Sequence, residues 1–258
     1  ILALQLHSGP ETEVQFRNIR LRILSQIDIA NRQIFPFEGN KPKVIATALA
    51  SWKLDSAGRG AKHRLISEPQ FYKLELNVNS AGTGARPLAK CVVLDGAYFD
   101  AGKELHVEGD AITVYLRVRD PNGTWNGGLF AKRGGHDRVH FNLFSTDLGG
   151  DGTGDIGFEL RTDKGFEMVG FPVSKIDATA WHDLVGRYDG KTIEILCDGE
   201  AMASKPWSGT LVKNDEPLLI AAETDNGNVV RHFHGELEDA ALWSRALSDK
   251  EVAALSLK

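Results

Sequence analysis

Apolar and polar residues alternate along most of the chain in short segments separated by Gly, Asp and Asn, the period-two pattern of half-buried strands. In AITVYLRVRD (111–120), Ile112, Val114, Leu116 and Val118 share one face, and Thr113, Tyr115, Arg117 and Arg119 share the other. RVHFNLF (138–144) sets Val139, Phe141 and Leu143 against Arg138, His140 and Asn142. IGFELRT (156–162) sets Ile156, Phe158 and Leu160 against Glu159 and Arg161. TIEILCDG (192–199) ends in Asp198-Gly199, a hairpin signal. Only LSDKEVAALSLK (247–258) reads as helix, with Ser248 as N-cap and Glu251 completing a capping box. Strands at roughly ten-residue spacing without intervening helices predict an all-β, two-sheet antiparallel β-sandwich with a short C-terminal helix. Its apolar faces would meet between the sheets and its polar faces would form the exterior.

Residues 1–40 read as a separate attachment and linker. LALQLHSG and VQFRNIRLRIL are two strand-like runs around Gly9-Pro10, followed by a connector through Pro36, Gly39 and Pro42. The sandwich would then occupy 41–258. Of 258 residues, 42% are hydrophobic and 25% charged, enough for a sizeable core and against global disorder. A formal charge of −5 argues against a nucleic-acid partner. No apolar run approaches the ~20 residues of a membrane-spanning helix. The chain opens on Ile1 without Met or leader, which we read as a mature or excised piece of a secreted or periplasmic protein. Cys91 and Cys197 both fall in apolar strand-like runs, so two buried thiols are expected, with a disulfide between them as the alternative.

From Trp52 onward the chain resembles the laminin-G-like, concanavalin A-like jelly-roll family. The resemblance is carried in order by SWKLDSAGRG (51–60), CVVLDGAYFDAG (91–102), LHVEGDAITVYLRVR (105–119), WHDLVGRYDGKTIEILCDGE (181–200) and FHGELEDAALWSRALSDKEVAAL (233–255). Trp181 and Trp243 are the large apolar anchors expected to fill the sandwich core. Residues 1–24 resemble the C-terminal strands of the 3-keto-disaccharide hydrolase family. Only that family's tail is present, so its active site is not carried over, although His7 lies inside the motif. The tail implies a larger carbohydrate-processing parent.

Five constellations bear on chemistry. Tyr115, Arg117, Arg138, His140, Asn142, Glu159, Arg161 and Arg187 lie on predicted polar strand faces and would share one surface if those strands are neighbours. Such a surface suits planar hydrogen bonding to an anionic or neutral glycan. It equally suits acid–base catalysis by His140, Glu159 and Tyr115 in a glycosidase or polysaccharide lyase, or an ordinary solvated face. Trp125, between Gly and Asn residues in GTWNGG, is expected to be exposed for stacking on a sugar or else folded over the sandwich edge; Trp207 in SKPWSGT is similar. For calcium, the family resemblance points to Asp55 and Asp239, and a Gly-rich loop offers Asp147, Asp151 and Asp155 instead. His232 and His234 are spaced to chelate zinc, although a surface pair is the plainer reading. Glu236 and Glu238 have the spacing of a retaining carboxylate pair but fall in the closing strand, where a solvated face is expected.

The expected function is therefore non-catalytic polysaccharide or oligosaccharide recognition. The domain would concentrate a neighbouring catalytic domain of the same chain on its substrate. Glycoside hydrolase or polysaccharide lyase activity is the alternative, and a structural or protein-interaction role the third reading. Structural Ca²⁺ is the one cofactor expected.

Overall fold

Alternation at period two decides which side chains can meet, and the tertiary structure uses it to stack two antiparallel layers. The computed structural model describes residues 44–54, 77–87, 91–146 and 154–256. The strands are β1 (Ala50–Lys53), β2 (Asn77–Pro87), β3 (Val92–Asp100), β4 (Ile112–Arg119), β5 (Gly127–Arg133), β6 (Val139–Thr146), β7 (Asp155–Thr162), β8 (Gly165–Pro172), β9 (His182–Tyr188), β10 (Thr192–Cys197), β11 (Glu200–Pro206), β12 (Leu219–Ile220), β13 (Glu223–Asp225), β14 (Asn228–Val230) and β15 (His234–Trp243). An α-helix, α1, spans Asp249–Leu255.

The first layer runs β11-β10-β9-β4-β15-β3, with β2 beyond β3 and β1 beside the second half of β15. The second runs β5-β6-β7-β8. Two residues of β12 pair with both β3 and β5 and so bridge the layers at one edge. At the other edge β8 lies against β10 and β11. Every described pairing of named strands is antiparallel, as the jelly-roll reading requires.

Between the layers sit the apolar faces legible in the sequence. Ile112, Val114, Leu116 and Val118 of β4 lie in one cluster with Phe141 and Leu143 of β6 and Ile156, Phe158 and Leu160 of β7. Gly186 of β9 packs directly on the opposite layer: a Cβ there would stand 2.3 Å from the Phe158 ring. The absent side chain is filled by the aromatic ring of the opposite sheet. Asp198 and Gly199 both have positive φ, 52° and 87°, as a two-residue hairpin turn between β10 and β11 requires. Ser248 accepts a hydrogen bond from the Glu251 N–H, and the Glu251 carboxylate accepts from the Ser248 N–H, so α1 opens on the expected capping box. Cys91 and Cys197 are both free and buried.

The first layer's outer face departs from the expectation of a solvated exterior. Val252 and Leu255 of α1, with Val44 and Ala48, cover Tyr115, Val185, Leu196, Ala241 and Trp243 and make a second apolar cluster. Trp243 therefore anchors the helix side of the sheet rather than the space between sheets. Trp181 is only half buried and lies under two guanidinium groups, Arg117 at 5.6 Å and Arg119 at 6.0 Å from its ring.

Candidate functional site

Strand alternation placed eight polar residues on one hypothetical surface; sheet membership divides them. Tyr115, Arg117 and Arg187 belong to β4 and β9, in the first layer. Asn142, His140, Glu159 and Arg161 belong to β6 and β7, in the second. Each layer turns its apolar face to the shared core, so the two polar sets point away from one another.

On the first layer the polar groups hold structure. The Tyr115 hydroxyl donates to Asp183 Oδ1 at 2.6 Å beneath α1, and burial with that carboxylate pushes its pKa well above the usual phenol value. Arg117 bridges Asp183 at 2.7 Å and Glu238 at 2.8 Å. Arg187 bonds Glu194 at 2.9 Å, the Leu247 carbonyl at 2.6 Å and Asp249 at 2.7 Å, and so fastens α1 to the sheet. Glu236 pairs with Arg119 at 3.4 Å. The Glu236/Glu238 pair is thus engaged by arginines, in keeping with its reading as a face rather than a catalytic dyad.

On the second layer the polar residues are far more buried than alternation suggested. His140 is 0% exposed. Its Nε2 accepts the Val107 N–H at 3.3 Å, so Nδ1 carries the proton it donates to the Val212 carbonyl at 2.7 Å. Burial pushes its pKa down to about 4, only partly offset by that carbonyl. A neutral ring with both nitrogens occupied is no proton shuttle, which corrects its candidacy as an acid–base group. Tyr115 is corrected likewise, being buried and in the other layer.

What the fold does assemble here is a cluster around Asn142. Asn142 donates from Nδ2 to Glu159 at 3.0 Å and to Glu223 at 2.8 Å. Arg133 Nη1 reaches the same two carboxylates at 2.9 and 3.1 Å. Arg231 adds a second cation, 2.7 Å from Glu223. Register sets Asn142 opposite Glu159 on β7, and Glu159 opposite Met168 on β8. Burial raises the Glu159 pKa, with Arg133 and Asn142 opposing. Asn142 is fully buried, yet its Oδ1 has no hydrogen-bond partner, and neither do Arg133 Nε and Arg161 Nε. Buried polar atoms of this kind are costly to leave unpaired, and an ordered water is the partner that satisfies them without opening the cluster. The cluster opens to solvent beside Arg161, whose guanidinium is 25% exposed and donates to the His136 carbonyl at 3.2 Å. Around it lie exposed Met168 and Val212, and the Phe166 ring 4.5 Å from that of His136. Arg138 bonds Glu216 at 2.9 Å and is half exposed at the same layer's end.

Glu223 and Arg231 went unnoticed in the sequence. They come from β13 and the segment after β14, some eighty residues beyond β6, and no local pattern marks them.

Trp125 overturns the expectation of an exposed stacking ring. It is 0% exposed, with Nε1 donating to the Ala178 carbonyl at 2.6 Å and its backbone N–H to Asp120 at 2.6 Å. Burying so large an apolar ring with its one polar atom satisfied outweighs the loop composition. Trp207 is partly buried, in a shallow depression with Lys191, Pro206 and Ser208. His234 is exposed and 2.8 Å from Asp95, while His232 rests 5.5 Å from the Tyr98 ring; among the described residues they join no cluster of three metal ligands. Asp155 and Asp239 likewise join none among the described residues. Asp55, Asp147, Asp151 and His7 lie outside the described residues, as do residues 1–40.

Two stacked antiparallel layers bridged at their edges, with a polar cluster on one outer face, define a lectin-like β-sandwich of the concanavalin A class. The chain belongs to the concanavalin A-like lectin/glucanases superfamily, whose family model matches residues 95–253. No curated protein sequence matches it. Among solved structures, it is similar to the CBM40 module of the Ruminococcus gnavus IT-sialidase, also known bound to α2,3-sialyllactose. The latter match has 18% identity over 65% of this chain and 97% of that one, and a TM-score of 0.51. It is similar too to the binding domain of the Paraclostridial Mosquitocidal Protein 1, at 12% identity over 83% of this chain and 52% of that one, TM-score 0.55. The NanB sialidase of Streptococcus pneumoniae, as its K499G mutant, matches at 19% identity over 64% of this chain and 27% of that one, TM-score 0.51. At these identities the likeness is one of fold.

Proposed function

We propose that this domain binds carbohydrate without cleaving it, as a module of a larger secreted glycan-degrading protein. The observation that carries the reading is the polar cluster on the second layer. The Arg161 and Arg231 guanidinium groups there are 25% and 38% exposed at the margin, above the buried Asn142 and Arg133. Planar guanidinium and amide groups match the paired oxygens of a sugar or its carboxylate. Met168, Val212 and Phe166 offer apolar surface beside them for the carbon face of a ring. The sialyllactose-bound module supports an oligosaccharide ligand, and its origin in a sialidase supports a role beside a catalytic domain.

A catalytic reading has one observation in its favour: Glu159 and Glu223 stand side by side on Arg133 and Asn142. Both carboxylates are nearly inaccessible, and both oxygens of Glu223 and Oε1 of Glu159 are engaged by arginines and Asn142, which argues against attack on or protonation of a glycosidic bond. Binding is the better account.

The test is titration of acidic and neutral oligosaccharides into the full chain, with product analysis in parallel. Arg161→Ala and Arg231→Ala, each at a partly exposed side chain, should lower affinity at least tenfold with little change in melting. Unchanged affinity in both variants, or release of reducing ends or unsaturated sugars, overturns the proposal.

A further inference from the structure

In the first layer, where β9, β10 and the turn to β11 meet, three ligand types converge. His182 opens β9, Cys197 closes β10, and Asp198 follows in the turn to β11. His182 Nδ1 lies 2.8 Å from Asp198 Oδ2 and 3.5 Å from Cys197 Sγ. One ligand atom from each residue lies within 4.8 Å of the other two, and among the described residues no other group of three His, Cys, Asp or Glu side chains does this.

The orientation of the imidazole is set from behind. Its Nε2 lies 2.8 Å from the Asp177 carbonyl, which can only accept, so Nε2 carries a hydrogen. Nδ1 shares its own hydrogen with the Asp198 carboxylate, and loss of that hydrogen leaves a lone pair facing the thiol and the carboxylate. A histidine whose far nitrogen donates to a backbone carbonyl is the arrangement that fixes metal-binding imidazoles. Asp198 is oriented in turn by its Oδ1, which accepts the Asp183 N–H at 2.9 Å. His182 and Cys197 are 4% and 3% exposed, whereas the Asp198 side chain is 39% exposed. Two of the three ligand side chains are thus buried, and the third reaches the surface.

We propose that His182 Nδ1, Cys197 Sγ and an Asp198 carboxylate oxygen bind a zinc-class divalent transition metal ion, with water in the fourth position. A sulfur–nitrogen–oxygen donor set selects this class over the all-oxygen chemistry of calcium. Binding exchanges the thiol proton and the Nδ1 proton for metal–sulfur and metal–nitrogen bonds, releases both protons to solvent, and changes no oxidation state. In the metal-free protein burial and the neighbouring acids Asp198, Asp183 and Glu200 push the Cys197 thiol strongly up, so it is not an activated nucleophile. The ion would pin the start of β9 to the β10–β11 hairpin, beside the Trp125 ring, whose centroid is 6.2 Å from that of His182. This site owes nothing to the carbohydrate reading and stands on the other layer.

The experiment is titration of the metal-stripped full chain with Co²⁺, then competition with Zn²⁺. Expected are one ion per chain, a thiolate-to-cobalt charge-transfer absorption, quenched tryptophan fluorescence and a rise in melting temperature with Zn²⁺. Cys197→Ser should abolish the charge-transfer band, and Cys91→Ser should keep it. Asp198→Asn keeps the amide-accepting oxygen and suits the left-handed backbone there, and should weaken Co²⁺ binding at least tenfold. Absence of a thiolate band in the wild-type chain overturns the proposal. So does a band that survives Cys197→Ser, or undiminished affinity in Asp198→Asn should the serine variant not fold.

Discussion

Replacing Trp125 with alanine separates a loop residue that binds sugar from one that holds the fold. The side chain is fully buried between the Phe233 and His182 rings, each with its centroid 6.2 Å away. Its indole N–H also satisfies the Ala178 carbonyl at 2.6 Å and so ties the β4–β5 loop to the segment before β9. Truncating a buried Trp to Ala costs about 3–5 kcal/mol through lost transfer energy and the cavity left behind. Leaving the Ala178 carbonyl unpaired adds to this by about 1 kcal/mol or more where water does not reach it. For a chain of this size each kcal/mol lowers the melting temperature by roughly 2–4 °C, so a fall of about 6–20 °C is expected. Calorimetry or far-ultraviolet dichroism measures it, and glycan titration below the transition measures binding on the same sample. A melting temperature within about 2 °C of wild type, joined to lost glycan affinity, would place Trp125 at the surface and refute the reasoning.

Four further outcomes follow from the geometry. The unfolded chain protonates His140 near pH 6.5, whereas the folded ring stays neutral down to about pH 4. Its contribution, on the order of 3 kcal/mol, is therefore complete above pH 6.5 and drains away as the pH falls to 4. Urea midpoints across that window should fall less steeply in His140→Gln, and an identical slope would show that another group governs it. Gly186→Ala forces a methyl into the Phe158 ring and should cost about 1–3 kcal/mol, partly recovered by adding Phe158→Leu; a neutral single variant would mean that the layers are not in contact there. Ser248→Ala removes the cap of α1 at about 1 kcal/mol in chemical denaturation, and no loss would mean that α1 does not depend on it. Addition of Ca²⁺ to chelated protein tests whether Asp239 with Asp55, or Asp155 with Asp147 and Asp151, holds an ion: a raised melting temperature supports it, and no shift retires it.

The two-layer architecture was legible because strand alternation is local. Ile112 to Val118, Val139 to Leu143 and Ile156 to Leu160 each declare an apolar face within eight residues; all are buried, and all but Val139 lie in the core cluster between the layers. Capping by Ser248 and Glu251 and the Asp198-Gly199 turn are equally local, since each is completed within four residues. The candidate site was only half legible. Asn142, Glu159 and Arg161 were found because they lie on polar faces of adjacent strands. Arg133, Glu223 and Arg231 reach them from β5 and from beyond β12, and nothing near them in sequence marks that meeting.

By itself, the order of residues determined the strands, their buried faces, the hairpin turn and the helix start, because each depends on neighbours a few positions away. Only the tertiary structure decided that Tyr115 and His140 belong to opposite exteriors, and that α1 covers one while the 212–231 segment meets the other. It alone decided that Trp125 is core and that His182, Cys197 and Asp198 converge. Which sheet a strand joins, and what then lies across its outer face, is settled by contacts between segments far apart in the chain. A strand's own alternation has two faces but carries no record of what each will meet.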